Sequence, residues 1–457
     1  MQKDLGQELA DAIDGGNLSP VYWTTLFLIA FLLVCEVFDF VLVAFLLADI
    51  TSRWALTFGQ ASIVMLAFGI GAIIGALAIG WFADRFGRKW AIAGGGSLFS
   101  LCAGAIAFIP EGNWVIFAIL RFLVGFGYAG TAAALMALVV ELVPTRYRTI
   151  MSTAVFIPGP IAIMLASAVS ATLLPEYGWR VVALIGVAPI IVAIALAIIA
   201  PESARWLAAN GRLGDARRSL SKLVGDEAAS SVNWDAPLDT SHGKASYRDL
   251  FAEKRLFLLV VFTYIGPLAA FTGVILWGPL VLKNIMGLTA AEAAGYFFYV
   301  SLAGLAGRMF FAYFASRVGR VKAAYLCCYG GAVMLIGVGL GFTVAPDSLW
   351  TFLGFLIAAF FLLDGGLASN APYAAEVYPV RLAALGSGLG QASSGLGKLI
   401  GPVVLALAAG TGNVISPDTT ADAILPGFAL LAACALVTGL AFSFLGVETN
   451  RKPLRLE

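Results

Sequence analysis

The chain has 457 residues, of which 60% are hydrophobic and only 12% are charged, and its formal net charge is +1. Soluble domains carry roughly 25% charged residues, so this composition and a mean hydropathy of +0.93 exclude a soluble protein. The single histidine, His242, lies in a polar segment, and the five cysteines show neither metal-ligand nor disulfide spacing. No nucleophile–base set or cofactor loop is visible, so we expect neither an enzyme nor a bound cofactor or metal.

In chain order, apolar stretches of about 20 residues or more predict twelve membrane-spanning helices. The polar residues 1–19 precede a stretch, Val21 to Ala48, that is too long for the apolar region of a signal peptide. The hydrophilic stretch 201–255 divides the helices into two six-helix bundles, 1–200 and 256–457, and its first part predicts an amphipathic helix at the membrane surface. We expect an all-α membrane protein with helices near 21–48, 58–81, 90–109, 114–139, 150–173, 180–200, 256–283, 290–315, 323–344, 349–371, 383–409 and 422–446.

The distribution of basic residues predicts the orientation in the membrane. With a cytoplasmic N-terminus, 22 of the 28 lysine and arginine residues fall in cytoplasmic segments. Only Arg53, Arg180 and Lys283 fall in periplasmic segments. The positive-inside rule therefore favours an inner (plasma) membrane protein with both termini in the cytoplasm.

The two halves of the chain repeat one another. The sequence GWFADRFGRK at 80–89 recurs as AYFASRVGRV at 312–321, 232 residues later, and a looser repeat relates 130–148 to 365–381. A duplicated six-helix unit predicts a substrate site between the halves, near the middle of the membrane.

The loop between the second and third predicted helices carries an unusual set of residues: Gly80, Asp84, Arg85, Gly87 and Arg88. Glycines let a loop turn tightly, and an aspartate can bind a helix N-terminus or a neighbouring arginine. We interpret this segment as a latch, whose charge pairs hold one face of a two-state transporter closed. The alternative is a basic loop that only sets topology, which explains the arginines but not the glycine and aspartate spacing.

These motifs resemble those of the major facilitator superfamily, in particular the branch of sugar porters, organic-ion transporters and aromatic-acid/proton symporters. The other matching segments are Arg121 to Gly130, Glu141 to Arg148, Gly178 to Arg180, Pro201 to Leu207, Glu376 to Arg381 and Glu448-Thr449. The resemblance extends the set of gating residues to Glu141, Arg146, Arg148, Arg317, Arg320, Glu376 and Arg381. Ser316 replaces the usual acid of the second latch, so we expect that latch to be weaker or to rely on Glu376 with Arg317 and Arg320.

Six ionisable residues lie inside predicted spans, namely Glu36, Asp39, Arg121, Arg308, Asp364 and Lys398. A charge at the bilayer centre costs at least about 2.5–3.5 kcal/mol, so each is a candidate for function. Asp39 and Arg121 match proton-coupling pairs of the resembled family, and Glu36 lies one helical turn before Asp39. We predict that these three residues couple proton movement to transport, because a carboxylate facing an arginine can take up a proton when the pair opens. A permanent structural pair is the alternative.

Arg308 and Asp364 lie at similar depths, and both a structural pair and a contact to substrate are open for them. Lys398 lies mid-helix among glycines, with no acid evident at its depth. Organic-anion carriers of the resembled branch have a basic residue in the matching segment. We therefore assign Lys398 to a substrate carboxylate, with snorkelling to the membrane surface as the alternative.

The polar residues near the spans narrow the substrate class. Sugars need many buried amides, but only Gln60 and Gln391 lie near a span, so a sugar is not expected. We predict Trp277, Tyr264 and Gln391 as further pocket residues.

The sequence favours a proton-coupled symporter that imports a small organic anion, such as an aromatic acid, by alternating access. The alternatives are a proton-coupled efflux antiporter for drugs or organic cations and a transport-inactive, transporter-like receptor. The expected partners are the substrate, protons and the lipid bilayer, without nucleic acid, and we expect a monomer.

Overall fold

The computed structural model describes residues 5–144, 158–236, 247–346, 348–370, 373–378, 383–408 and 424–449. These ranges are helical and hold no β-strand. The helices are α1 (Leu5–Gly15), α2 (Pro20–Arg53), α3 (Phe58–Phe86), α4 (Arg88–Ala105), α5 (Trp114–Leu142), α6 (Pro158–Leu184), α7 (Pro189–Ile199), α8 (Ala204–Ala209), α9 (Leu213–Val224), α10 (Asp226–Ser230), α11 (Tyr247–Ala252), α12 (Lys254–Met286), α13 (Ala290–Val318), α14 (Arg320–Val344), α15 (Leu349–Asn370), α16 (Tyr373–Val377), α17 (Ala383–Ala408) and α18 (Ile424–Leu445).

The long helices have the length and composition of membrane spans. In the described part of the chain, ten segments are long and apolar enough to cross a membrane. One of them, Gly159–Ile199, has 41 residues and is interrupted at Gly178, where φ is +73°. A span needs about 20 residues, so this segment is long enough for two. The 26-residue helix Ala383–Ala408 adds another, in agreement with the predicted twelve, and the all-α membrane fold is confirmed.

Helix start and stop signals recur at equivalent positions in the two halves. Thr57 forms a capping box at the start of α3, and Thr289, 232 residues later, forms one at the start of α13. Gly87 separates α3 from α4 with φ +108°, and Gly319, again 232 residues later, separates α13 from α14 with φ +107°. Glycine adopts these positive φ values without the strain that a side chain brings. The sequence repeat is therefore also a repeat of backbone conformation.

The helices pack in the same pairs in each half. In the first half α3 packs on α5, α4 on α5 and α7, and α2 on α6. The equivalent pairs of the second half are α13 with α15, α14 with α15 and α18, and α12 with α17. Between the halves, α6 contacts α13, α3 contacts α17, and α2 contacts α12. The two bundles thus meet across a pseudo-symmetric interface with α2 and α12 near its centre.

The two bundles are held together on one face. We call the face at which α8, α9 and α10 lie the linker face, and the other the opposite face. Residues 39–48 of α2 and 269–280 of α12 are all buried, whereas the linker-face part of α2, residues 20–35, buries only about every third or fourth side chain. Lys283 of α12 donates from Nζ to the Ala48 carbonyl and the Ser52 hydroxyl of α2, at 2.5 Å each. The bundles are therefore closed against each other at the opposite face.

The N-terminal helix α1 is an element that the sequence did not lead us to expect. Its buried residues Leu5, Leu9, Ala12 and Ile13 form one amphipathic face, and α1 contacts the linker helices α8, α9 and α10. Ser19 accepts a bond from the Tyr22 N–H at the start of α2, and its hydroxyl donates to the Lys222 carbonyl of α9. The start of the first span is thus fixed to the linker.

Candidate functional site

Four ionisable side chains meet in the middle of the membrane helices, and we call them the central charge cluster: Glu36 and Asp39 of α2, Arg121 of α5 and Lys398 of α17. Glu36, Asp39 and Arg121 are almost fully buried, with exposed fractions of 0%, 4% and 1%. Three of the four come from the first bundle and Lys398 from the second. Movement of the bundles relative to each other therefore changes the surroundings of these charges.

The first pair of the cluster joins α2 to α5. Nη1 of Arg121 donates to Oδ2 of Asp39 at 3.1 Å, and the guanidinium carbon lies 4.7 Å from the centroid of the Phe68 ring. Arg121 Nε is buried and has no hydrogen-bond partner among the described residues. Among the described residues, the Asp39 carboxylate therefore accepts one charged hydrogen bond, the one from Arg121.

The second pair joins the two bundles. Glu36 and Lys398 interact electrostatically, so the expectation that Lys398 has no acid at its depth is wrong. Both carboxylate oxygens of Glu36 are buried without a hydrogen-bond partner among the described residues. Counting residues from the linker face would have found the pair, because Glu36 lies sixteen residues after Pro20 and Lys398 fifteen after Ala383.

Aromatic rings surround the Lys398 ammonium. Its Nζ lies 5.4 Å from the centroid of the Tyr128 ring and 5.9 Å from that of Phe40, which is within cation–π range. Phe68 contacts both rings, with centroids 5.1 Å from Phe40 and 5.3 Å from Tyr128. The sequence analysis did not single out these residues, although Phe40 lies one turn after Glu36 on the same helix.

The predicted pocket residues of α12 lie elsewhere. Tyr264 accepts a hydrogen bond from the Ala374 N–H at 3.3 Å and packs on Gly390. Gly390 is eight residues, or about 12 Å along α17, from Lys398, so Tyr264 is not a neighbour of the ammonium. Trp277 is buried in the closed half of α12. Gln391 belongs to α17, but its side chain lies outside the described structure.

Arg308 and Asp364 form the tightest buried ion pair of the described residues. Arg308 donates from Nε to Oδ2 at 3.0 Å and from Nη2 to Oδ1 at 2.6 Å. The Asp364 side chain is fully buried, and the guanidinium also lies against Gly159 of α6, where an added Cβ would come within 3.2 Å of Nη1. The pair thus joins α13 to α15 next to α6 of the first bundle, and this geometry fits the structural alternative without testing a contact to substrate.

The first latch is built around a glutamate. Oε1 of Glu202 accepts from the Arg88 N–H at 3.0 Å and Oε2 from the Lys89 N–H at 3.2 Å, so the carboxylate caps the start of α4. Burial raises the pKa of the Glu202 carboxyl, and its N–H donors oppose that effect. Arg88 donates from Nη2 to Glu141 at 3.3 Å. Glu202 lies in the segment Pro201 to Leu207 that resembles the superfamily, but the sequence analysis did not predict that it takes part in this latch.

Gly80 and Gly87 were both predicted to let the loop of this latch turn, and only Gly87 does so. Gly87 makes the turn, with φ +108°. Gly80 lies within α3, and a Cβ added there would meet nothing within 4 Å, so the expected turning role is wrong for this residue. Arg85 packs over the Trp81 ring at 5.6 Å. The Asp84 side chain and residues Arg146 and Arg148 lie outside the described structure.

The second latch repeats the arrangement with Glu448. Its Oε1 accepts from the Arg320 N–H at 3.0 Å and its Oε2 from the Val321 N–H at 3.2 Å, next to Gly319. Arg317 packs over the Tyr313 ring at 5.3 Å. Glu448 thus caps the start of α14 as Glu202 caps the start of α4. The Glu376 side chain and Arg381 lie outside the described structure.

A duplicated helical bundle with buried charges between its halves has the architecture of a secondary transporter. The sequence profile of the Major Facilitator Superfamily matches residues 29–402. The chain therefore belongs to that superfamily, as the sequence motifs predicted, and it is a transporter and not an enzyme.

Curated relatives cover most of the chain. A gallate transporter of Pseudomonas putida is 29% identical over 88% of this chain and 90% of its own length. The niacin transporter NiaP of Acinetobacter baylyi is 26% identical over 98% of this chain and 99% of its own. A cis,cis-muconate transport protein of the same species is 24% identical over 86% and 89%.

Solved structures share the fold. The inward-open xylose transporter XylE from E. coli superposes with a TM-score of 0.71 at 16% identity, covering 95% of this chain and 99% of XylE. A second structure, of a D-xylose-proton symporter, gives a TM-score of 0.70 at 18% identity, covering 95% and 100%.

Proposed function

We propose that this chain is a proton-coupled symporter that imports a small organic carboxylate across the inner membrane. The observation that carries the proposal is the central charge cluster, in which Lys398 of the second bundle reaches the buried Glu36 and the rings of Phe40 and Tyr128 in the first. An ammonium among aromatic rings suits an aromatic or unsaturated carboxylate, because the charge binds the carboxylate and the rings pack against the rest. Gallate, niacin and cis,cis-muconate, named in three relatives, are all carboxylates.

Glu36 links substrate binding to a proton in this proposal. When ionised in the empty protein, Glu36 supplies a negative charge next to Lys398. A bound carboxylate brings a second negative charge to the same ammonium in a buried site, where two like charges close together are unfavourable. Glu36 therefore takes up a proton as the substrate binds. Asp39 and Arg121 provide the second protonation site, which opens when α2 and α5 shift against each other within the first bundle.

The proposed orientation in the membrane follows from the distribution of positive charge. The linker face carries most of the positive charge and lies in the cytoplasm, so the closed opposite face is periplasmic and the structure represents a state closed to the outside. Lys283 then belongs to the periplasmic closure.

Binding of matched acid and amide ligands tests the substrate class, with nicotinate and nicotinamide as one such pair. Lys398→Gln removes a charge-assisted bond in a poorly hydrated site, which costs about 2–5 kcal/mol, so we expect acid affinity to fall more than tenfold. Amide affinity should change little, and Lys398→Arg should retain part of the acid binding because the charge remains. A wild-type protein that prefers amides over acids throughout such a series contradicts the proposal. Counterflow in proteoliposomes, with and without a pH gradient, tests proton coupling separately.

A further inference from the structure

A groove of about 350 Å³ lies on the linker face, outside the central charge cluster. Its walls are the junction of α3 and α4, the end of α7, and the linker helices α8 and α9. We call it the linker groove. The transport mechanism proposed above makes no use of it.

The linker groove lies where membrane spans end. The span in α3 ends at Ala83, the next begins at Arg88, and the span that includes α7 ends at Ile199. Trp81 and Trp90 beside the groove are 60% and 59% exposed, and Ile198 in its wall is 75% exposed. Tryptophan is enriched at the level of lipid headgroups, and a bare isoleucine at the end of a span faces acyl chains. One wall of the groove is therefore in contact with lipid.

The other wall is basic. Lys89, Arg212, Arg218 and Lys222 line the groove, against two acids, Glu202 and Asp215. Asp215 binds both Arg212 and Arg218, and the Glu202 oxygens already accept backbone N–H bonds. Lys89 lies near both Glu202, which attracts it, and Lys222, which repels it, and neither lysine forms an ion pair within the described part of the chain. The groove thus carries two neighbouring lysines, neither of which forms an ion pair with a described residue, and one acid beside them, Glu202, whose oxygens are already used by backbone N–H groups.

We propose that the linker groove binds the phosphate headgroup of an anionic phospholipid, between Lys89 and Lys222, with the acyl chains along Ile198 and Trp90. A phosphate there relieves the repulsion between the two ammonium groups and bonds to both. The apolar wall and its position at the ends of the spans favour a lipid over a free phosphate ion. Because Lys89 belongs to α4 and Lys222 to α9, the lipid joins the first bundle to the linker.

The test compares phosphatidylglycerol, phosphatidylcholine and inorganic phosphate as ligands of the purified protein, by native mass spectrometry and by thermal unfolding. We expect retention of phosphatidylglycerol and stabilisation by it, with little effect of phosphatidylcholine or of millimolar inorganic phosphate. Each lysine near an anionic headgroup contributes about a fivefold gain in affinity, so Lys89→Gln with Lys222→Gln should weaken binding about 30-fold.

Arg217→Gln is the matched control, because Arg217 is exposed on the same helix, contacts Ser230 and does not line the groove. This variant should bind phosphatidylglycerol like the wild type. Binding of phosphatidylglycerol by the double variant at wild-type strength overturns the proposal, and so does a wild type that binds both lipids equally. If inorganic phosphate stabilised the protein against thermal unfolding as much as phosphatidylglycerol does, the groove would be a general anion site and the assignment to lipid would be overturned. No arm measures transport, so the outcome is independent of the proposed function.

Discussion

Two buried arginine–aspartate pairs, one in each bundle, are held in different ways. Asp364 accepts two hydrogen bonds from Arg308, one at each carboxylate oxygen. Asp39 accepts one bond from Arg121, at Oδ2, and Nε of Arg121 has no partner among the described residues. Bidentate pairs fix both groups in one geometry, whereas a single bond leaves the carboxylate freer to separate. From this difference we expect Arg308–Asp364 to be a structural pair and Asp39–Arg121 to be the pair that opens.

The surroundings of the two pairs differ in the same sense. Arg308 and Asp364 lie against Gly159 and Gly304, whose missing side chains make room for the pair between helices. Asp39 and Arg121 lie beside a second carboxylate, Glu36, and an aromatic cluster that Lys398 reaches from the other bundle. A pair wedged between helices stabilises one arrangement. A pair beside further titratable groups can exchange protons and respond to a ligand.

The largest expected effect is on the stability of the folded protein. Replacing the aspartate of each pair by asparagine should destabilise the protein by different amounts. Asp364→Asn places an amide NH2 opposite a guanidinium donor whichever way the amide turns, because both oxygens are in use. Breaking such a buried pair costs about 3–5 kcal/mol. Asp39→Asn can turn its amide oxygen toward Arg121 and keep the single hydrogen bond, so it should cost less, because Arg121 then loses only its counter-charge. Thermal unfolding of both variants in detergent measures the difference, and equal losses would remove the distinction.

The second expected effect concerns transport. Asp39→Asn keeps a hydrogen-bond acceptor but cannot cycle a proton, so proton-driven accumulation should be lost while substrate exchange remains. Asp364→Asn, wherever enough protein folds, should still accumulate substrate against its gradient in proteoliposomes. Accumulation at the wild-type level in the Asp39→Asn variant, with a pH gradient as the only driving force, rules out the assigned role of Asp39.

The sequence predicted the pairs better than it predicted their surroundings. Depth counting along the helices placed Asp39 near Arg121 and Arg308 near Asp364, because a helix rises about 1.5 Å per residue and charges inside a membrane seek partners. The aromatic residues Phe40, Phe68 and Tyr128 could not be selected in this way. The chain contains 32 phenylalanines and 13 tyrosines, and only the packing of α2, α3 and α5 shows which of them face Lys398.

The latches show a second limit of prediction from the sequence. Glu202 and Glu448 were visible as motif residues, yet each lies more than 110 residues along the chain from the helix that it caps. A cap of this kind depends on tertiary structure, since the glutamate reaches N–H groups of a helix that is distant in sequence. The glycines Gly87 and Gly319 were the local signal, because a turn with positive φ leaves the next helix start open to an acid.

The smallest expected effect is a change in the pH dependence of substrate affinity. It shows whether Glu36 or the Asp39–Arg121 pair takes up the proton that is linked to binding. If Glu36 takes up one proton when a carboxylate binds, wild-type affinity should weaken by up to about tenfold per pH unit once Glu36 is charged in the empty protein. Among the described residues, the charged or titratable groups near Glu36 are Lys398 on α17, Tyr128 on α5, and Cys35 and Asp39 on its own helix. None of these groups titrates near neutral pH at its ordinary pKa, which is about 3.9 for aspartate, 8.5 for cysteine and 10 for tyrosine and lysine, so the variants have to show which group takes up the proton.

Glu36→Gln is the direct test of this linkage. The amide leaves Lys398 free for the substrate at every pH, so affinity should be high in alkaline buffer and should lose its slope. The ligand has to be a carboxylate that stays ionised over the whole titration, so that its own proton does not contribute. Asp39→Asn serves as the matched control on the same helix, and it should keep the slope because Glu36 remains. Binding is measured at equilibrium in detergent, without a membrane potential or a pH gradient. A Glu36→Gln variant with the wild-type slope would show that the linked proton is bound elsewhere, whereas loss of the slope in Asp39→Asn would assign it to the Asp39–Arg121 pair.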